Sequence, residues 1–290
     1  MKVFVVGYAP QGIIQKFYEH NDDFFYGESI DLLTIPIPYD GYILYDGKKI
    51  FIDEYDAVID INNDATSQYL YTLLKSHCCF IGAPRIRVNM SDKVMAAIIM
   101  SNHGLPVVKT AFSFGEADIS GLNTDCGYIV KKPKNRSLGY GVERLTPPFD
   151  TKEPDRIYQE YIECNCSDER WIIVDGELVC AEKRTSNSPN EFRSNLHLGG
   201  IGEKIELTDE MRELSKKIYE CFPEAIYLGA DILRSTDGRI FVGEVNADPN
   251  TGIIGISGHN FYVDIYNYIV KRVNTWKSSK NTFKELINKV

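Results

Sequence analysis

Asp231, Glu244 and Asn246 are the residues whose types and spacing could most directly do chemistry together. They lie in two apolar, β-branched runs, 228–234 and 239–249, separated by Asp237-Gly238, a dipeptide that predicts a type I′ hairpin. Counting back from that turn sets Ser235 opposite Ile240, Leu233 opposite Val242 and Asp231 opposite Glu244. Asn246, two residues on, shares their face. Like charges facing each other across a ladder cost about 0.2–1 kcal/mol at exposed positions and more when buried. A cation between them reverses that sign. Two carboxylates and an amide oxygen are hard donors suited to Mg²⁺ or Mn²⁺, a metal usually shared with a phosphate. A surface hairpin with solvated carboxylates is the competing reading, and the apolar flanks favour the buried one. Neither acid is expected to be a core contact, so Asp231→Asn and Glu244→Gln should remove function and leave the fold intact.

Other segments carry charge or glycine in suggestive places. Lys132 ends the apolar run 128–132 and leads into a loop containing Ser137, Gly139 and Gly141. Glycine lets backbone N–H groups approach phosphate oxygens and the ammonium supplies countercharge, although a surface loop with incidental lysines has the same composition. It is not a Walker A loop, which needs Gly-Lys-Ser/Thr at a helix start. Lys93 sits in the first turn of a helix, where the macrodipole disfavours it. Gln159-Glu160-Tyr161-Ile162, with Asp168 beyond, suits either a hinge whose backbone pairs with a purine or a half-buried strand. Arg193 and Asn195 share a face if extended, and Arg184 precedes them; two guanidiniums and an amide suit a transferring phosphoryl group or an oxyanion.

The elements that must position these groups read as α/β. Residues 2–7 form a strand, 12–20 a helix, 42–52 a hairpin around Asp46-Gly47, 55–61 a strand and 65–77 an amphipathic helix; this unit closes near 86–89. A helix capped by Ser91 and ending at Gly104 follows. Strands are expected at 106–114, 127–132 and 158–162, with a hairpin at 170–184 around Asp175-Gly176. Residues 185–190 are polar and aperiodic, as a lid would be. Residues 208–222 form a helix capped by Thr208, and 260–273 another; 276–290 has only weak helical spacing.

Composition sets the outer bounds. The chain has 290 residues, 43% apolar and 25% charged, enough for two or three subdomains. A net charge of −9 argues against a broad nucleic-acid surface, and no apolar run reaches membrane-spanning length. The seven cysteines (78, 79, 126, 164, 166, 180, 221) are odd in number and lack zinc-like partners, so reduced thiols in a cytoplasmic protein are expected. No Ser-His or Cys-His arrangement suggests a side-chain nucleophile.

Taken in order, Asp92-Lys93, 130–133 with 137–142, 159–162, Asp168-Glu169-Arg170, Arg184, 192–195, Gly199-Gly200, 231–233 and 244–246 resemble the ATP-grasp superfamily, and within it the RimK-type glutamate and amino-acid ligases. The resemblance covers about 92–264 and implies an ATP-grasp fold behind an N-terminal α/β pre-ATP-grasp domain. The implied domains are 1–90, 91–185 (central) and 186–290 (C-terminal, with the metal site). It implies that Lys93 and Lys132 contact ATP phosphates, with Ser137 and Arg170 also at the nucleotide. Glu160, Tyr161 and Ile162 would pair with adenine and Asp168 with the ribose. Asp231, Glu244 and Asn246 would hold magnesium, and Arg184, Arg193 and Asn195 the γ-phosphate and acyl phosphate. The implied reaction joins a carboxylate to an amine with release of ADP. One substrate would be an amino acid such as glutamate, and the acceptor a metabolite, a carrier-bound group or a peptide terminus. A kinase acting on a hydroxyl is the alternative, and a non-catalytic nucleotide-binding scaffold a third class; a homo-oligomer is left open. Arg136 and Asn250 stand where the group often has glycine, and 251–259 departs from its usual continuation, which bears on the acceptor.

Overall fold

The computed structural model describes every residue except 8, 62–64, 137–138, 189–190 and 288–290. Ser137 and part of the 185–190 stretch therefore lie outside the described residues. The chain divides into two units, the first comprising Met1–Val88, Glu224–Ile226 and Asn260–Val290. Its first strand β1 (Lys2–Val6) reads Lys-Val-Phe-Val-Val and is buried over its last four residues. A strand apolar on both faces belongs inside a parallel sheet. Helix α1 (Gln11–Glu19) follows, then β2 (Asp23–Gly27), a small antiparallel sheet of β3 (Leu33–Thr34), β4 (Tyr42–Tyr45) and β5 (Lys48–Phe51), β6 (Ala57–Asp60), α2 (Ala65–Leu74), β7 (Cys79–Ile81) and α3 (Pro84–Ser91). The main sheet runs β2-β1-β6-β7 and is parallel throughout. Asp46 and Gly47 both take positive φ between Tyr45 and Lys48, as a type I′ turn requires.

The second unit, Asn89–Pro223 with Tyr227–His259, carries every proposed site residue among those described. Helix α4 (Lys93–Asn102) is capped by Asp92, which accepts from the N–H groups of Val94 at 2.9 Å and Met95 at 3.1 Å. The cap is thus one residue later than the expected Ser91, because the carboxylate reaches two orphan N–H groups. Strands β8 (Thr110–Phe112), β9 (Ile129–Pro133), β10 (Glu143–Leu145) and β11 (Arg156–Glu160) make one antiparallel sheet, ordered β10-β9-β11-β8. Strands β12 (Ser167–Val174), β13 (Glu177–Thr185) and β14 (Ile201–Lys204), helix α5 (Asp209–Cys221, capped by Thr208), and strands β15 (Tyr227–Arg234) and β16 (Ile240–Asn246) follow. Their sheet is ordered β14-β13-β12-β15-β16. Helix α6 (Gly252–Ser257) ends the unit.

The chain then returns to the first unit as α7 (Tyr262–Ile287), one continuous helix where the sequence suggested an end near 273. It packs on α1. The close approach needs Gly12, where an added Cβ would stand 2.1 Å from Cδ2 of Tyr262. Gly12→Val should therefore destabilise the protein by about 1–3 kcal/mol through overpacking. Thermal melting checks this, and an unchanged midpoint would show that Tyr262 can swing aside.

Candidate active site

The hairpin β15–β16 brings Asp231 opposite Glu244 and Gly229 opposite Asn246. The facing acids are those the turn count gave, but the route differs. Arg234 pairs with Ile240, and Gly238 takes φ +89° after a turn closed by its N–H on Ser235 O at 2.9 Å. This is a three-residue loop, not a type I′ turn. Asp237 spends its carboxylate on Ser235 and Arg239, which favours that loop. Leu233 therefore pairs with Phe241 rather than Val242. A bulge at Gly243 then restores the register at Asp231. Two one-residue shifts cancel at the acids.

Register carries the same face across the sheet. Arg170 on β12 lies beside Asp231, and on β13 Glu182 lies opposite Arg170 and Arg184 opposite Asp168. Arg170 donates through Nε and Nη2 to the Asp231 carboxylate, the latter at 3.0 Å. Arg184 donates to both oxygens of Asp168, at 2.8 and 2.5 Å, and its Nη2 stands 3.0 Å from Asp231 Oδ1. Burial alone would raise the Asp231 carboxyl; Arg170 and Arg184 hold it below the ordinary carboxylate range. Asn246 Oδ1 is buried and accepts no hydrogen bond among the described residues. Gly229 opposite leaves it room, since a Cβ there would meet the Asn246 amide at 3.3 Å.

Two lysines face this surface from other elements. Helix α4 packs on β16 and sets Lys93 Nζ 3.3 Å from Glu244 Oε1; the same ammonium donates to Arg136 O at 2.5 Å. On β9, alternation separates neighbours. Lys131 pairs with Glu143 and Glu153, while Lys132 turns to the side of Glu244, Lys93, Asp231 and Asp168. Burial pushes the Lys132 ammonium below the ordinary lysine value, and Glu244 pulls it back.

The remaining segments converge in part. Arg193 is forked on Glu191 at 2.9 and 2.7 Å and donates through Nη1 to Gly139 O at 2.9 Å. Gly139 has φ +70°, and a Cβ on it would lie 2.7 Å from Asn195 Oδ1. The 191–195 segment thus closes on the glycine loop. Glu160 ends β11; its Oε1 accepts from Asn123 N–H at 2.9 Å and lies 3.7 Å from Lys109 Nζ, so its side chain is engaged with those groups. Tyr161 packs against Tyr128, with its hydroxyl accepting from Arg144 at 3.0 Å, and Ile162 is buried. Asp168 is committed to Arg184. Glu182 and Arg144 went unnoticed in the sequence; nothing in their spacing marks them, since only register brings Glu182 to this face.

The surface joins a cluster of paired charges to a glycine loop and an unpaired buried amide oxygen, and comparison shows what class of protein builds it. The fold matches the ATP-grasp ligase PsnB complexed with minimal precursor, with TM-score 0.69 at 17% identity over 93% of this chain and 98% of that one. It also matches the D-alanine–D-alanine ligase of Bacillus anthracis complexed with ATP, with TM-score 0.59 at 16% identity over 97% and 99%. These likenesses establish an ATP-grasp fold. The RimK-like ATP-grasp domain profile matches residues 81–269. A probable alpha-L-glutamate ligase of Aeromonas salmonicida is 30% identical over 259 residues, 82% of this chain and 83% of that protein. One of a Shewanella species is 33% identical over 202 residues, 65% and 66% of the two chains. The chain belongs to the RimK-like ATP-grasp family, and with it to the ATP-dependent carbon–nitrogen ligases.

Proposed function

We propose that this enzyme activates a substrate carboxylate with ATP as an acyl phosphate and passes the acyl group to an amine, releasing ADP and phosphate. The observation that carries this is the single face on which Asp231, Glu244 and the unpaired Oδ1 of Asn246 meet Lys93 and Lys132. The donor set fits a hard divalent cation: two carboxylates in register and an amide oxygen with no hydrogen-bond partner among the described residues. Bound there, Mg²⁺ would supply positive charge against the outer phosphates. Lys132 and Lys93 would bind phosphate oxygens, Lys93 by exchanging Glu244 for the nucleotide. Residues 160–162 would receive the adenine. Asp168 holds Arg184 in place; its implied contact with ribose would require that pairing to open. Arg184, Arg193 and Asn195 would orient the transferring group and the acyl phosphate, with Arg193 anchored through Gly139 to the glycine loop. An amino acid such as glutamate as one substrate is supported by the names of the two relatives. The second substrate is a metabolite, a carrier-bound group or a peptide terminus, and PsnB is complexed with a precursor peptide.

The reading is tested by ADP release over pairs of carboxylates and amines with product masses read out. Hydroxylamine should intercept the acyl phosphate as a hydroxamate when the amine is withheld. AMP and pyrophosphate would sink the mechanism, and a stable phosphate ester without amine dependence would make the enzyme a kinase. Lys132→Ala should weaken ATP binding more than ADP binding, by about ten- to a hundredfold for one charge-assisted contact. Calorimetry with both nucleotides measures this, and equal affinities to wild type would return Lys132 to an incidental surface role.

A further inference from the structure

Glu182 is the acid of the ion-pair face that the roles above leave unused. It is 3% exposed, and among the described residues its Oε2 accepts no hydrogen bond. It lies directly across the β12–β13 ladder from Arg170, yet Arg170 gives its guanidinium to Asp231 on the other side. Burial pushes the Glu182 carboxyl up, against the pull of Arg184 and Arg170. A buried carboxylate oxygen without a hydrogen bond is costly to keep. Its place beside an arginine already paired elsewhere points to a second state in which the pairing changes.

The charge balance says what that state is. The face sets Lys93, Lys132, Arg170 and Arg184 against Asp168, Glu182, Asp231 and Glu244. If Asp231 turns its oxygens to a divalent cation, Arg184 keeps both oxygens of Asp168. Arg170, 9% exposed, has no such reserve in its pairing with Asp231. Removing one partner of a buried pair is among the costlier changes a protein can undergo. We propose that Glu182 is the second partner of Arg170, taking its guanidinium across the ladder when Asp231 is released to the metal. Glu182 is then a positioning residue: it acts through Arg170 and touches neither substrate nor metal. The inference rests on the reading of Asp231 as a metal ligand.

The test is Mn²⁺ binding to the full chain saturated with ADP, measured by calorimetry, with thermal melting of the metal-free protein beside it. Glu182→Gln should weaken Mn²⁺ about tenfold, the worth of one charge-assisted hydrogen bond. It should leave the metal-free melting midpoint unchanged or higher, because in that state burial outweighs the pull of Arg184 and Arg170 and no hydrogen bond to Oε2 is lost. Glu182→Asp should restore part of the affinity. In an Arg170→Gln background, Glu182→Gln should add no further loss. Wild-type Mn²⁺ affinity in Glu182→Gln overturns the exchange. So does a metal-free protein that melts lower or fails to fold, which would make Glu182 structural. An undiminished loss in the Arg170→Gln background would mean that Glu182 reaches the metal itself, and also overturns it. Wild-type protein that binds no Mn²⁺ with ADP would instead remove the ligase reading of the site, so the two failures are distinct.

Discussion

Asp231→Asn should abolish ADP release and also lower the melting midpoint, by roughly 10 °C. The loss of activity follows from removing a charge from the proposed metal site. The loss of stability follows from the two guanidiniums, Arg170 and Arg184, that this carboxylate neutralises in a buried setting. Breaking a buried pair by removing one partner costs about 3–5 kcal/mol, and each kcal/mol is worth roughly 2–4 °C in a protein of this size. Read from the sequence alone, the substitution should leave the fold intact; the ion-pair network corrects that expectation. Glu244→Gln should be as inactive but melt near wild type, since its ion-pair partner among the described residues is Lys93 at 3.3 Å, and nearly a quarter of its side chain, 22%, is accessible. Activity at saturating Mg²⁺ and ATP with melting curves for both variants decides the matter. Wild-type turnover in both would remove the metal-hairpin argument, and an unshifted midpoint for Asp231→Asn would remove the network.

Arg193→Ala should slow hydroxamate formation by about 10²–10³, the usual cost of losing one group that stabilises developing charge. ATP binding should weaken far less, because the proposed interaction strengthens as the phosphoryl group transfers. The guanidinium is already oriented: Glu191 grips it at 2.9 and 2.7 Å, and that grip holds the Glu191 carboxyl down to about 2. Nη1 meanwhile ties the segment to Gly139 O at 2.9 Å. Single-turnover trapping alongside nucleotide titration separates the two roles. Equal losses in transfer and in ATP affinity would show that Arg193 merely closes the glycine loop.

Much of the site was legible because strands and turns obey short-range rules. Apolar, β-branched runs marked 228–234 and 239–249, and hairpin pairing made Asp231 face Glu244. That answer was right through cancellation: the loop is one residue longer than a type I′ turn, and Gly243 bulges to compensate. On β12 and β13 the same counting would mislead. Asp175 and Gly176 do form the two-residue turn, and counting from it sets Glu182 opposite Glu169, but the bulge at Ile172–Ile173 moves it opposite Arg170. Glycine and polar spacing do not predict that bulge, so Glu182 could not be placed. The cap of α4 moved by one residue for a local reason, the reach of the Asp92 carboxylate.

By itself, then, the sequence determined the hairpin that sets Asp231 against Glu244, the order of the charged segments and the strand character of β1, because each depends on residues near one another in the chain. The tertiary structure alone decided the partners. Asp168, expected at the ribose, is forked by Arg184; Lys132, expected at the phosphates, is separated from Lys131 by pleating, which sends Lys131 to Glu143 and Glu153 and Lys132 toward Asp231 and Glu244. Long-range ion pairs follow from register summed over several strands, and a single bulge changes every pair beyond it.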